Sequence, residues 1–507
     1  MSDNPKTICI IGAGPAGLAA LKIIVASAQY DAGHWIPTAF ETRDQIGGIW
    51  LPSDPFDDTD PPYSPVYDSL TTNLPHPVMA YTSFSFPAST PIFPRASVVL
   101  QYLNDYTHHF HLTPHIRLNT TVQAVHRDSS NSQWNVTLST SETLIFDLII
   151  VCDGHYRVPL YPDVSGLSQW LHKGKATHAA YYRRPHNIGN IVLVIGGGPS
   201  GLDISSEMRP FAHTVIHSIT HAPNEDVGNL KQRGRVVQFH ECETGKVTFE
   251  DGTTESGIDH CILATGYQFS FPFFHDDIIR FEDPPAVPPL PQNLYYTPHS
   301  IFPLAKHMFP LYGSSTNTNT NTNTNTNTTN TIATTADTTT TTTFPPWSMA
   351  FMGRILRRLA PFPLLEVQAR AILHAFAHPE SLDRIHEEKE FMSRHESLRL
   401  KLGTDDAVAI TTAWHRFEPL EQYAYREYLD EFSASSWSGS GYGKVGEWER
   451  EMYLNRVVLR EVWVELERRG EAGEWVRGVG EGDREGEEGK KEWVEVLRKM
   501  LRWAESR

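Results

Sequence analysis

The sequence is poor in cysteine, in positive charge and in long apolar runs. Four cysteines occur in 507 residues, at positions 9, 152, 242 and 261, with no C-x-x-C pair. That excludes a disulfide framework and a dithiol flavoprotein reductase. Cys9 and Cys261 sit in strand-like apolar runs and read as buried thiols. No apolar stretch approaches the roughly 18 residues that a membrane-spanning helix needs. Lys and Arg total 43 against 60 Asp and Glu, a net charge of −17. This balance argues against nucleic acid and acidic membrane surfaces as partners. The 24 histidines show no metal-ligand spacing. Their densest group, His108-His109-Phe110-His111, reads as a polar helix end, so no metal is expected. No Ser/His/Asp constellation is visible. The start is polar and runs straight into a strand, without a secretory leader. A cytoplasmic protein is the expectation.

Two glycine fingerprints dominate what is there. Gly12-Ala13-Gly14-Pro15-Ala16-Gly17 follows the apolar run Ile8 to Ile11, and Gly196-Gly197-Gly198-Pro199-Ser200-Gly201 follows Ile191 to Ile195. Each has a strand before it and a helical pattern after it. In that context the first Gly makes the turn and the second lets backbone approach a pyrophosphate. The third lets helix pack on strand, so the helix N-terminus faces the anion. Two dinucleotides on one chain point to one redox cofactor passing electrons to another.

Other residues distinguish the two sites. Glu41 ends the second strand pattern, 24 residues past Gly17. An acid about 20 residues on binds a ribose with a free 2′-hydroxyl. Gly47-Gly48-Ile49-Trp50 follows. The matching strand of the second site, His213 to Ser218, ends without an acid. An acid would repel a 2′-phosphate, so this site leans to NADP. Lys231, Arg233 and Arg235 follow it, and none is singled out for the phosphate.

With these motifs the chain resembles the flavin-containing monooxygenases, in particular their soluble microbial and fungal members, over roughly residues 5 to 430. The resemblance rests on both fingerprints and on Phe40 to Trp50, Leu70-Thr71-Thr72-Asn73-Leu74-Pro75, and Asp153-Gly154-His155-Tyr156. It also rests on the stretch His172 to Arg183, on Ala264-Thr265-Gly266-Tyr267, and on Pro363 to Arg370. Three departures stand out. His172 replaces a customary Phe, with Trp170 nearby. Asp153 replaces a small or amide residue. Gly198 stands where many members carry Ser.

The resemblance implies FAD and NADPH as cofactors, with molecular oxygen and a small molecule as co-substrates. NADPH would reduce the flavin, and a C4a-hydroperoxide would donate one oxygen to a soft nitrogen or sulfur nucleophile. The implied FAD contacts are Gly12, Gly14, Pro15, Ala16, Gly17, Glu41, Gly48, Ile49, Trp50, Thr72, Asn73 and Val122. Those for NADPH are Gly196, Gly198, Ser200 and Gly201. Asn73 matches the family's catalytic amide, which can donate to and accept from a peroxide. Residue type alone reads it as a turn Asn before Pro75. Two alternatives stay open: a Baeyer–Villiger monooxygenase acting on a ketone, and a flavin-binding protein without oxygen transfer. The former class carries Trp four residues after the motif His; Tyr182 stands here.

The expected fold is α/β, with two Rossmann-like dinucleotide-binding domains, the NADP domain inserted into the FAD domain. The expected boundaries are residues 1–172 and 295–435 for FAD, 173–294 for NADP, and 436–507 for a charged helical C-terminal extension. Thr316 to Thr343 is nearly all Thr and Asn and is expected to be a disordered surface insertion. Gly470 to Gly489 reads as a linker. Beyond it, Trp493, Val496, Leu497, Met500 and Leu501 form an apolar stripe at helical spacing, expected to dock on its own domain. Homo-oligomerisation is left open.

Overall fold

The computed structural model describes residues 5–55, 59–128, 133–312, 344–356, 359–437, 445–481 and 487–506. The Thr/Asn tract lies outside the described residues.

Two largely parallel sheets organise the chain. The first contains β1 (Lys6–Ile11), β2 (Trp35–Phe40), β3 (Ile116–Arg117) and β4 (Leu148–Val151). The second contains β5 (Ala176–His178), β6 (Ile191–Ile195), β7 (Thr214–Ser218), β8 (Glu225–Val227), β9 (Leu230–Arg233) and β10 (His260–Leu263). The chain then returns to the first sheet with β11 (Met349–Phe351). The spatial orders are β11-β4-β1-β2-β3 and β8-β9-β7-β6-β10-β5. Only β8 runs antiparallel to its neighbour. Every residue of β4 and the middle of β6 is buried, as expected for strands covered on both faces.

The fingerprints fold as their pattern predicts. α1 (Pro15–Val25) follows β1, and α2 (Pro199–Met208) follows β6. Proline takes the first helical turn in both, where its missing N–H costs nothing. α3 (Pro361–Ala377) packs against α1 and is buried almost throughout, despite its polar residues. Its Glu366 carboxylate accepts the Thr82 amide at 2.7 Å and both hydroxyls of Thr82 and Ser83. Gln368 accepts the Gly353 amide at 3.0 Å. These motif residues are therefore buried braces within the first unit.

The C-terminal extension is part of the same core. α4 (Arg456–Arg469) buries Leu459, Val462, Trp463 and Leu466. α5 (Glu487–Glu505) buries Trp493, Leu497 and Met500. Both groups join the cluster that also holds Leu18, Leu74 and Tyr81. The docking expected of the final apolar stripe is what the structure shows. The linker reading of 470–489 holds less well over 470–481; residues 482–486 lie outside the described residues. Ala472–Val476 is a short helix with both ends buried, and the Ser89 amide donates to the Val479 carbonyl at 3.0 Å. Trp475 and Val476 supply apolar surface that the Gly/Glu composition obscures. Among the described residues, no helix is long and apolar enough to cross a membrane.

Candidate cofactor and oxygen-transfer site

The first cradle lies where β1 turns into α1. A Cβ on Gly17 would sit 2.0 Å from the Gly12 carbonyl oxygen, so only glycine lets α1 approach β1 this closely. Gly14 caps α1 without any side-chain hydrogen bond, which leaves the first-turn amides of the helix free for an anion. A Cβ on Gly14 would lie 3.2 Å from the Gly48 Cα, so two glycines wall the same narrow space. The Gly47 amide ties this wall to the fingerprint through the Ala13 carbonyl at 3.1 Å. Pro15 and Ala16 open the helix, and the Tyr81 hydroxyl donates to the Pro15 carbonyl at 2.7 Å. Gly48, Ile49 and Trp50 form one short turn and are half-buried.

Glu41 follows β2 directly and reaches back to the same turn. Its carboxylate accepts the Ala13 amide at 2.9 Å and the Arg43 amide at 3.0 Å. Burial raises its pKa above the usual carboxylate value, against the pull of these amides. Val122 is buried beside Phe40 in the second core cluster. It lies two residues beyond Thr120, whose amide donates to the Glu41 carbonyl at 2.8 Å.

The second cradle repeats the first with a more open mouth. A Cβ on Gly201 would sit 1.9 Å from the Gly196 oxygen. Gly198 again caps its helix without a side-chain bond, but a Cβ there would meet nothing within 4 Å. Ser200 is half-buried in the first turn of α2. No acid ends β7: Ser218 is buried and donates to the Gly234 carbonyl at 2.8 Å. Of the basic residues, Lys231 and Arg233 both bind Glu255, at 3.0 and 2.8 Å. Arg235 keeps 61% of its side chain exposed and lies 3.8 Å from Glu250.

Thr71-Thr72-Asn73 precedes a short helix, His76–Met79, in the first unit. Thr72 is buried; its amide donates to the Pro94 carbonyl at 2.9 Å and its hydroxyl to Leu74 at 2.8 Å. Asn73 is exposed, and its amide has no hydrogen-bond partner among the described residues. A purely structural turn Asn would bond the local backbone.

Sequence departures find local answers. His172 is exposed at the end of its helix, while Trp170 is fully buried and donates to the His240 carbonyl at 2.7 Å. Trp170 packs edge-on against Phe239, with ring centroids 5.0 Å apart. Asp153 pairs with Arg354, which is fully buried and also donates to the Gly154 carbonyl at 2.8 Å. His178 is buried and held near pKa 4 by desolvation, hence neutral at pH 7. Tyr182 is buried against Tyr67, with its hydroxyl on Glu207 at 2.7 Å.

Sequence reasoning missed the residues that join the two units. The Tyr67 hydroxyl donates to Asp203 on α2 at 2.9 Å. The Arg183 guanidinium donates to the Ser53 and Ser64 carbonyls at 3.1 and 2.9 Å. Within the first unit, Arg460 of α4 reaches Thr71 and Thr72. Arg183 closes the quoted motif stretch and carried a signal. Arg460 lies outside every motif and carried none.

Both sites fit the groups that the motifs imply: each has a tight glycine turn and an uncapped helix N-terminus, and the first adds two facing glycines and a carboxylate beside the turn. A family model described as flavin-binding monooxygenase-like matches residues 5–224 and 223–288, more than half of the chain. Flavin-containing monooxygenase FMO GS-OX-like 4 of Arabidopsis thaliana is 27% identical over 485 residues, spanning 89% of this chain and 91% of that protein. The thiol-specific monooxygenase of Saccharomyces cerevisiae is 30% identical over 285 residues, 54% of this chain and 64% of that protein. The solved S-allyl-L-cysteine S-oxygenase from Allium sativum shares the fold, with a TM-score of 0.68 over 98% of this chain and 99% of that chain at 22% identity.

Proposed function

The chain belongs to the flavin-binding monooxygenase-like family, and from that premise we propose that it moves one oxygen atom from O2 to a soft nitrogen or sulfur nucleophile of a small molecule. It is an FAD-dependent monooxygenase that uses NADPH. The observation that carries the proposal is the pairing of two unlike cradles. One is buried with Glu41 at its strand end; the other is open with no acid there. Sulfur is favoured within the proposal by the name of the yeast relative, a thiol-specific monooxygenase. The reading includes a cytoplasmic enzyme, supported by the net charge and four free, buried cysteines.

Bound FAD, once reduced by NADPH, supplies an electrophilic oxygen derived from O2. The chain's own residues have narrower tasks. The α1 amides and the Gly14–Gly48 space would hold the FAD pyrophosphate. Glu41 would accept hydrogen bonds from the ribose hydroxyls. Gly196, Gly198, Ser200 and Gly201 would hold NADPH in the same manner, with Gly198 leaving room for the phosphates. Asn73, exposed and unbonded, would donate and accept a hydrogen bond at the reacting oxygen without being consumed as an acid. We assign the first unit to residues 1–172 and 295–435 and the second to 173–294, because β11 returns to the first sheet after β5–β10 are complete.

The test is a panel of amines, thiols, sulfides and ketones, with FAD-loaded protein, NADPH and O2. Product is scored by mass. An oxygenated sulfide, thiol or amine is expected. NADPH oxidation with no oxygenated product from any of them would refute the proposal.

A further inference from the structure

We infer that Arg460, on helix α4 of the C-terminal extension, is a positioning residue that fixes the loop carrying Asn73. The inference rests on the role proposed for Asn73.

The contact crosses 388 residues of sequence. One guanidinium nitrogen donates to the Thr72 carbonyl at 3.1 Å, and another donates to the Thr71 hydroxyl. The guanidinium also lies over the Phe93 ring, 5.0 Å from its centroid. The hydrogen bonds of the other α4 arginines are local. Arg456 donates to the Tyr453 carbonyl, and Arg468 and Arg469 share Glu465. Arg460 makes no ion pair among the described residues, so its directed contacts go to the loop.

Peptide planarity explains why this matters. The Thr72 carbonyl and the Asn73 amide belong to one rigid plane. Pinning that oxygen fixes the plane from which the Asn73 side chain departs. The other described ties of Thr72 run to Leu74, two residues on, and to Pro94, 22 residues on. Among the described residues Asn73 has no hydrogen bond of its own. Arg460 is thus the long-range anchor, and its helix is held rigidly by Leu459, Val462 and Trp463.

The Arg460 charge also favours the ionised form of Asp203, whose pKa burial raises and whose carboxylate accepts the Tyr67 hydroxyl at 2.9 Å. Asp203 lies on α2, the helix that follows the second fingerprint.

The experiment compares FAD-loaded wild type with Arg460→Met and Arg460→Lys. Three readouts are taken: amide hydrogen exchange across residues 71–74, FAD content with melting temperature, and hydrogen peroxide formed per NADPH consumed. In Arg460→Met, exchange of the loop should quicken by about ten-fold, the scale of one charge-assisted hydrogen bond. Peroxide yield should rise while FAD content holds. Arg460→Lys should fall between, since an ammonium can satisfy one acceptor but not the fork. Exchange and peroxide yield both at wild-type level in Arg460→Met would overturn the inference. Should that variant fail to fold, Arg460→Lys decides: it keeps the charge and the stem but not the fork, and wild-type exchange across residues 71–74 there overturns the inference equally. A wild type that oxygenates nothing would refute the proposed function instead, and loop exchange would still decide whether Arg460 holds this segment.

Discussion

The Glu41 carboxylate accepts the backbone amide of Ala13 at 2.9 Å, linking the end of β2 to the middle of the first glycine turn. A single acid thereby shapes the cradle before any ligand enters. Its second oxygen holds the Arg43 amide at 3.0 Å.

This geometry sets a pH dependence. Burial raises the Glu41 pKa above its ordinary value. In the apoprotein Glu41 thus binds its proton more tightly than in the unfolded chain. Its contribution to apoprotein stability rises as pH falls through the folded pKa, and stops changing below the unfolded value of about 4.3. Ribose hydroxyls favour the carboxylate, so FAD binding should release a proton and weaken as pH falls. Titrating apoprotein with FAD between pH 8 and pH 5 checks this. Glu41→Gln should bind FAD more weakly and with little pH dependence. An unchanged slope in Glu41→Gln would assign the titration to another group.

The two cradles should respond oppositely to one added methyl. Gly14→Ala places a Cβ 3.2 Å from the Gly48 Cα, and backbone on both sides cannot yield cheaply. Protein without flavin is expected. Gly198→Ala meets nothing within 4 Å, so the fold and FAD should persist. Its KM for NADPH should rise by about ten-fold, equivalent to about 1.4 kcal/mol of lost approach. Loss of flavin from Gly198→Ala would reverse the assignment of the sites.

NADPH should be preferred over NADH, because β7 ends in Ser218 and not in an acid. Lys231 and Arg233 are already bound to Glu255, so they are poor candidates for the 2′-phosphate. Arg235 is the exposed one. Arg235→Ala should lower kcat/KM for NADPH by about ten-fold and leave NADH unaffected. Steady-state kinetics with both coenzymes decide, and equal losses with both would dismiss Arg235.

Asn73→Ala should leave stability and FAD content unchanged, because the side chain is exposed and makes no hydrogen bond among the described residues. Product should fall while hydrogen peroxide rises. Removal of a comparable preorganised donor costs about 2.7–4 kcal/mol, or about 10²- to 10³-fold. A lowered melting temperature with intact coupling would return Asn73 to a turn role.

Arg354→Met should destabilise the fold by about 3 kcal/mol, since it strands the half-buried Asp153 without its fully buried cation. The double variant Asp153→Asn/Arg354→Met should recover most of that loss. Melting curves of the four proteins measure the coupling, and additive losses would show that the pair is not the reason for Arg354's burial.

Local pattern determined a great deal. Two glycine fingerprints in strand–turn–helix context dictated both cradles, because the steric demand at Gly17 and Gly201 is set within a few residues. The apolar stripe of α5 declared a docking helix, because helical spacing alone places Trp493, Leu497 and Met500 on one face. Tertiary structure decided what depends on residues far apart in sequence. It placed Trp170 inside where the motif led one to look at 172, and gave the unusual Asp153 its partner 201 residues away. It set Arg460 against Thr72 across 388 residues. No periodicity or motif encodes such meetings, because a hydrogen bond depends on distance in space, and distance in space is settled only once the sheets and the C-terminal helices have packed.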